Sequence, residues 1–87
     1  VNRQRTIVFF YGQGSASEKA KHSVDAATRR MSDVQKVALD ITKKKGIASR
    51  LGVDRAPAIV VLDPSGRVVA REQGALTRDA IAAAIGS

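Results

Sequence analysis

Val53-Asp54-Arg55-Ala56-Pro57-Ala58-Ile59-Val60-Val61-Leu62 is the stretch on which the fold turns. A loop passes through a proline directly into the apolar run Ala58 to Leu62, and Asp63-Pro64-Ser65-Gly66 closes that run with turn residues. A short, unbroken, β-branched run between turn signals predicts a strand buried on both faces, at the centre of a sheet. Proline has no N–H to give to a ladder, so Pro57 belongs at the mouth of the strand. A cis Ala56–Pro57 peptide is expected there, with the backbone of Ala56 unpaired and facing outward.

At 87 residues the chain is expected to form one domain. A chain of this size buries roughly 60% of the surface its unfolded form exposes, enough for a modest core. Apolar residues make up 44%, yet the aromatics are only two Phe and one Tyr, so Val, Ile, Leu and Ala must build the interior. There is no cysteine. That excludes a disulfide framework, a zinc-thiolate site and thiol chemistry, and leaves the compartment undecided. No apolar run approaches the roughly 18 residues of a membrane span, and no signal-peptide pattern is present. A start at Val1 in place of Met suggests an excised domain or a mature form.

The formal net charge is +7, from 15 Lys and Arg against eight Asp and Glu. Such an excess bears on partners and solubility more than on fold. The basic residues are scattered, Lys43-Lys44-Lys45 is the tight run, and Phe9, Phe10 and Tyr11 stand together in place of alternating with charges. A solvated basic surface accounts for this pattern better than a nucleic-acid interface.

Taken in order, Val1 to Arg5 is polar and is expected to be a frayed lead-in. Thr6 to Tyr11 is a first strand, apolar throughout from Ile7 and therefore expected beside the Ala58 to Leu62 strand. After Gly12-Gln13-Gly14, Ser15-Ala16-Ser17-Glu18 fits a capping box, with Ser17 as a second possible cap. Ala20, Val24, Ala27 and Met31 then recur at helical spacing. Val34 to Ile41 is a second strand, and a helical crossover makes it parallel to the first. Gly46 to Leu51 is a short helix with Ile47 and Leu51 one turn apart, stopped by Gly52, with Val53 placed for the hydrophobic contact of a glycine C-cap. The Asp63 to Gly66 turn predicts a hairpin into an Arg67 to Gln73 strand. Gly74 ends it, and Thr77 caps a last helix whose Ile81 and Ile85 face the core. The order is βαβαββα: an α/β fold with a mixed four-stranded sheet flanked by three helices.

That order, together with Leu39-Asp40-Ile41, the Gly46 to Gly52 helix, Val53 to Pro57 with its apolar strand, Ser65-Gly66 and Gly74-Ala75-Leu76-Thr77, resembles the thioredoxin family from about Thr6 to Ile85. The resemblance implies a thioredoxin-like fold in which a cis-proline faces the start of the first long helix. In that family a Trp-Cys-Gly-Pro-Cys motif at this helix carries disulfide chemistry. Here Gly14-Ser15-Ala16-Ser17-Glu18 stands in its place, with Ser15 and Glu18 at the two cysteine positions and Gly14 at the tryptophan. The family's buried, proton-moving acid corresponds to Phe9.

A cysteine at a helix N-terminus is useful because free N–H groups and the helix dipole favour the thiolate. A serine hydroxyl has no comparable acidity. His22 lies about two turns on, roughly 10 Å by helical rise, too far in sequence to form a pair with Ser15 without further help. One histidine and scattered carboxylates make no metal-ligand set, and no cofactor motif is present. The expected site is therefore a groove formed by Gly14, Ser15, Glu18, Ala56, Pro57, Gly74 and Ala75, where an extended peptide or protein segment pairs with the Ala56 backbone. The small residues at Gly14, Ala56, Gly74 and Ala75 are equally explained by turn geometry. Two other functions stay open: a thiol-disulfide oxidoreductase whose nucleophilic cysteine Ser15 has replaced, and a domain binding nucleic acid or another polyanion through Lys43, Lys44, Lys45 and Arg50.

Overall fold

A computed structural model describes residues 4–74 and 76–86. Seven elements follow one another: β1 (Arg5–Tyr11), α1 (Ser15–Thr28), β2 (Val34–Asp40), α2 (Lys45–Arg50), β3 (Ala58–Leu62), β4 (Val68–Gln73) and α3 (Arg78–Ile85). The sheet order is β2-β1-β3-β4, with β1 parallel to β2 and antiparallel to β3, and β4 antiparallel to β3. This is a mixed, four-stranded thioredoxin-like α/β fold.

The two central strands are apolar without a break because successive side chains enter opposite cores. Ile7 and Phe9 of β1 and Ile59 and Val61 of β3 join Ala20 and Val24 of α1 and Ile81, Ala84 and Ile85 of α3 on one face. Val8, Phe10, Ala58 and Val60 point the other way, onto Ala48 and Val53. Helices α1 and α3 pack side by side on the first face, and α2 covers the second. Phe10, Ile7, Ile59, Val60 and Val61 are the largest fully buried side chains besides Ile81. Each contributes roughly 1.5–3 kcal/mol by leaving water, so burial energy is concentrated in the β1–β3 pair.

Local chemistry sets the ends of the elements. The Thr77 hydroxyl accepts from the Ala80 N–H at 3.1 Å and caps α3. At the end of α2 the Val53 N–H reaches Ala48 O at 2.8 Å and the Gly52 N–H reaches Ser49 O at 3.1 Å, the paired bonds of a Schellman motif. Gly52 has φ +78°, and the Arg71 guanidinium lies against its Cα while donating to Leu51 O at 3.0 Å. In the β3–β4 hairpin, Asp63 Oδ1 accepts from the Ser65 hydroxyl at 2.6 Å and from the Ser65 and Arg67 N–H groups, each at 2.9 Å.

Four details differ from the sequence reading. Arg5 is not part of a lead-in: its N–H bonds Asp33 O at 3.1 Å and its Nη1 donates to Ile85 O at 2.6 Å, so β1 starts there. The expected residues 1–3 of that lead-in lie outside the described residues. β2 ends at Asp40, one residue short, although the Ile41 N–H still reaches Tyr11 O at 3.0 Å. β4 starts at Val68 because Arg67 spends its N–H and carbonyl on Asp63. In α2 it is Ala48 that enters the core, while Ile47 is 42% exposed.

Gly52→Ala is expected to destabilise the domain by more than about 1 kcal/mol, because alanine resists a positive φ and its Cβ would strike the Arg71 guanidinium. Adding Arg71→Ala should recover the collision part only, which a double-mutant cycle in urea will resolve as non-additivity.

The Asp63 carboxyl is held below its ordinary pKa chiefly by the Ser65 hydroxyl, and Asp40 likewise by the Thr42 hydroxyl. A carboxylate whose folded pKa is depressed contributes stability above its unfolded pKa and loses it as pH falls through the folded value. Stability should therefore drop below roughly pH 4, and the drop should be shallower in Asp63→Asn than in the unsubstituted chain when both are unfolded by heat across that range.

Candidate functional site

The loop after β1, the loop before β3 and the end of β4 meet at one end of the sheet. The Ala56–Pro57 peptide bond is cis, Pro57 is buried and Ala56 is half-buried. Pro57 O accepts from the Gly74 N–H at 3.0 Å, and Gln73 Oε1 accepts from the Asp54 N–H at 3.2 Å. These two bonds stitch the pre-strand loop to the end of β4. On the other side the chain at Gly12 runs so close that a Cβ there would sit 3.4 Å from Ala56 Cβ and 3.9 Å from Ser17 Oγ. Gly12, Ser17, Ala56, Pro57 and Gly74 therefore form one neighbourhood. Among the described residues, nothing hydrogen-bonds to the backbone of Ala56.

The start of α1 is not the expected capping box. Its N-cap is Gly14, at φ +107°, with no side-chain cap; Ser15 is already inside the helix, and Ser15 and Glu18 are both exposed. The serine that matters is Ser17, only 6% exposed, whose Oγ accepts from the Gly12 N–H at 2.9 Å. With glycine as N-cap there is no side-chain oxygen at the usual capping position. The third helical residue reaches back instead, and it holds the loop against Ala56. The first-turn carboxylate of Glu18 still lies at the positive end of the helix dipole.

Smallness at the expected groove has two origins. Gly14 and Gly74 have φ of +107° and +90°, and a Cβ at either would meet nothing within 4 Å, so backbone conformation and not crowding selects glycine. Gly12 is the position where space decides. Ala75 lies outside the described residues.

Ser15 and His22 are both exposed, and no hydrogen bond joins them. Among the described residues no three His, Asp or Glu side chains come together, and none of the helices is long and apolar enough to cross a membrane. The basic residues are elsewhere: Lys43 and Lys44 lie in the turn after β2, Lys45 opens α2 and Arg50 ends it, all exposed. Two cavities flank the Ala56 neighbourhood. One of about 450 Å³ lies between α1 and β2, and one of about 500 Å³ lies between α2 and the loop Val53 to Arg55.

This arrangement of strands and helices is that of the thioredoxins. Thioredoxin-2 of a malaria parasite is similar over 99% of this chain and 84% of its own, at TM-score 0.83 and 16% identity. A single-site mutant of a thioredoxin from Halobacterium salinarum is similar over 95% of this chain and 73% of its own, at TM-score 0.82 and 20% identity. Mitochondrial thioredoxin 3 of Saccharomyces cerevisiae is similar over 97% and 78%, at TM-score 0.82 and 19% identity. At such identities the likeness shows the fold. No family model and no curated protein sequence matches the chain.

Ser17→Ala is expected to leave the Gly12 N–H without its acceptor, at about 1–3 kcal/mol. Amide exchange should quicken at Gly12, with the far end of the sheet unaffected; equal quickening everywhere would mean that Ser17 serves stability alone.

Proposed function

We propose that this domain is a non-catalytic binding module that holds an extended protein or peptide segment against the backbone of Ala56, beside a cis-proline. The observation that carries this reading is the open backbone of Ala56, set between Gly12 and Gly74 in a loop that two hydrogen bonds tie to β4. Backbone pairing needs N–H and C=O groups in a fixed direction and no special side chain, so a chain without cysteine keeps the capacity to bind after losing the capacity to exchange disulfides. Gly14, Ser15 and Glu18 on one side and Pro57 and Gly74 on the other would border the segment. As the sequence stands, thiol exchange by this chain lacks its reactant, whatever residue preceded Ser15 in its ancestry.

A polyanion-binding role through Lys43, Lys44, Lys45 and Arg50 is the second reading. It is supported by the exposure of all four and by the absence of an ion pair to any of them among the described residues.

The test is an amide NMR titration of this chain with a mixed library of extended peptides, repeated with heparin at two salt concentrations. Shifts gathered at Gly14 to Lys19, Ala56 to Ala58 and Gly74-Ala75 are expected. Ala56→Leu should weaken the bound peptide at least tenfold, about 1.4 kcal/mol, while the domain stays folded; unchanged affinity would sink the reading. Shifts confined to the lysine run and abolished by salt would favour the polyanion instead.

A further inference from the structure

The cavity of about 500 Å³ between α2 and the loop Val53 to Arg55 has an apolar floor, made by Ile41, Ala48 and Val53. Ala56 follows Arg55 directly, so the cavity begins one residue from the open backbone at the mouth of β3.

Most hydrogen-bonding groups around the floor are already engaged. The Gly52 and Val53 N–H groups close the end of α2, the Asp54 N–H is held by Gln73 Oε1, and the Thr42 N–H and hydroxyl are both given to Asp40. Three donors are left over: the Lys45 ammonium, the Arg55 guanidinium and the Ser49 hydroxyl. All three residues line the cavity, all are exposed, and none of these groups has a hydrogen bond or ion pair among the described residues. Against the two cations stands one lining carboxylate, that of Asp54, which pairs with neither. The cavity is therefore net positive.

On a surface of net charge +7, cations alone would attract an anion anywhere. Here an apolar floor lies beneath them, so a carboxylate seated between Lys45 and Arg55 is less screened by water and salt than one on an open face. Its position along a bound chain is also constrained. An extended segment rises about 3.3 Å per residue, so one whose backbone pairs with Ala56 brings its next one or two residues level with Arg55 and Asp54.

We propose that this cavity selects what the Ala56 site binds: it takes an acidic side chain, Asp or Glu, carried one or two residues from the residue paired with Ala56, with Lys45 and Arg55 as counter-charges and Ser49 as a neutral donor. This selectivity rests on the Ala56 reading and adds to it a sign of charge and a position. It differs from polyanion binding in needing Arg55, which lies outside the Lys43 to Arg50 patch, and a single anionic group in place of a run of them.

The experiment uses the full 87-residue chain and a synthetic peptide of alternating Val and Thr, in which Glu, Gln or Lys replaces each position in turn, titrated by NMR. Amide shifts at Ala56 to Ala58 and Gly74 report the first site; those at Ser49 and Arg55, with the Val53 methyl signals, report the cavity. Glu at one position, and neither Gln nor Lys there, is expected to tighten binding at least tenfold and to move the cavity signals. Lys45→Glu with Arg55→Glu, both exposed positions, should invert the preference so that Lys becomes favoured at that same position. Shifts at Ala56 with equal affinity for Glu, Gln and Lys everywhere would overturn the acidic selectivity and leave the Ala56 reading standing. A Glu advantage spread evenly over all positions and untouched by the double substitution would mean general attraction to a basic surface, and would overturn it too. No shift at Ala56 with any peptide would remove both readings together.

Discussion

Two adjacent strands, β1 and β3, must each supply two cores at once, and the rest of the fold answers to that requirement. Four residues in each strand are placed alternately up and down, so neither face can be left to solvent without exposing half of the most apolar sequence in the chain. The two helices on one face and the short helix on the other follow from this. β2 and β4 contribute less to burial, and their compositions relax accordingly toward Gln35, Lys36, Arg71 and Glu72. The loops at one end of the central pair are brought together as a by-product of burial. Gly12 continues from β1, Pro57 leads into β3 and Gly74 leaves β4, so strands held side by side must present these loops side by side.

Such a constraint explains why architecture was legible from one chain while the local devices were only partly so. Unbroken runs at Ile7 to Phe10 and Ala58 to Leu62 specify central strands whatever their neighbours are. Asp63-Pro64-Ser65-Gly66 and Thr77 carry their own local chemistry, and both form the bonds their residue types suggest. The start of α1 was harder because three hydroxyl or carboxylate side chains lie within four residues, and each could serve the helix end. The choice fell to Ser17 since Gly14 takes a conformation that makes it the N-cap, which puts Ser17, not Ser15, over the Gly12 N–H. No periodicity contains that information.

Ile47 and Arg71 failed to announce themselves for a related reason. In a six-residue helix one turn is too little to define a stripe, and the core took Ala48, which clusters with Val8, Phe10 and Val60. Arg71 reads as an ordinary strand charge, yet it spans to α2 and donates to the last turn, where a cation is favoured by the helix dipole. Arg5 does the same for α3, reaching Ile85 O from the first residue of β1. Both contacts join segments far apart in sequence, so only the assembled sheet makes them.

Among the candidate site residues, sequence separated composition from geometry less well than it separated chemistry from its absence. The lack of cysteine is a matter of counting, and it removes disulfide exchange without any structure. The backbone at Ala56 needs three loops in place before it can be called open. Without cysteine, the scaffold still carries the three-loop neighbourhood at Ala56, whose backbone meets no partner among the described residues, under a net positive charge. If that backbone is the binding surface proposed for it, it reads extension and not side-chain identity. Because the β1–β3 pair fixes these loops from the interior, exposed side chains around them can vary while the neighbourhood keeps its shape.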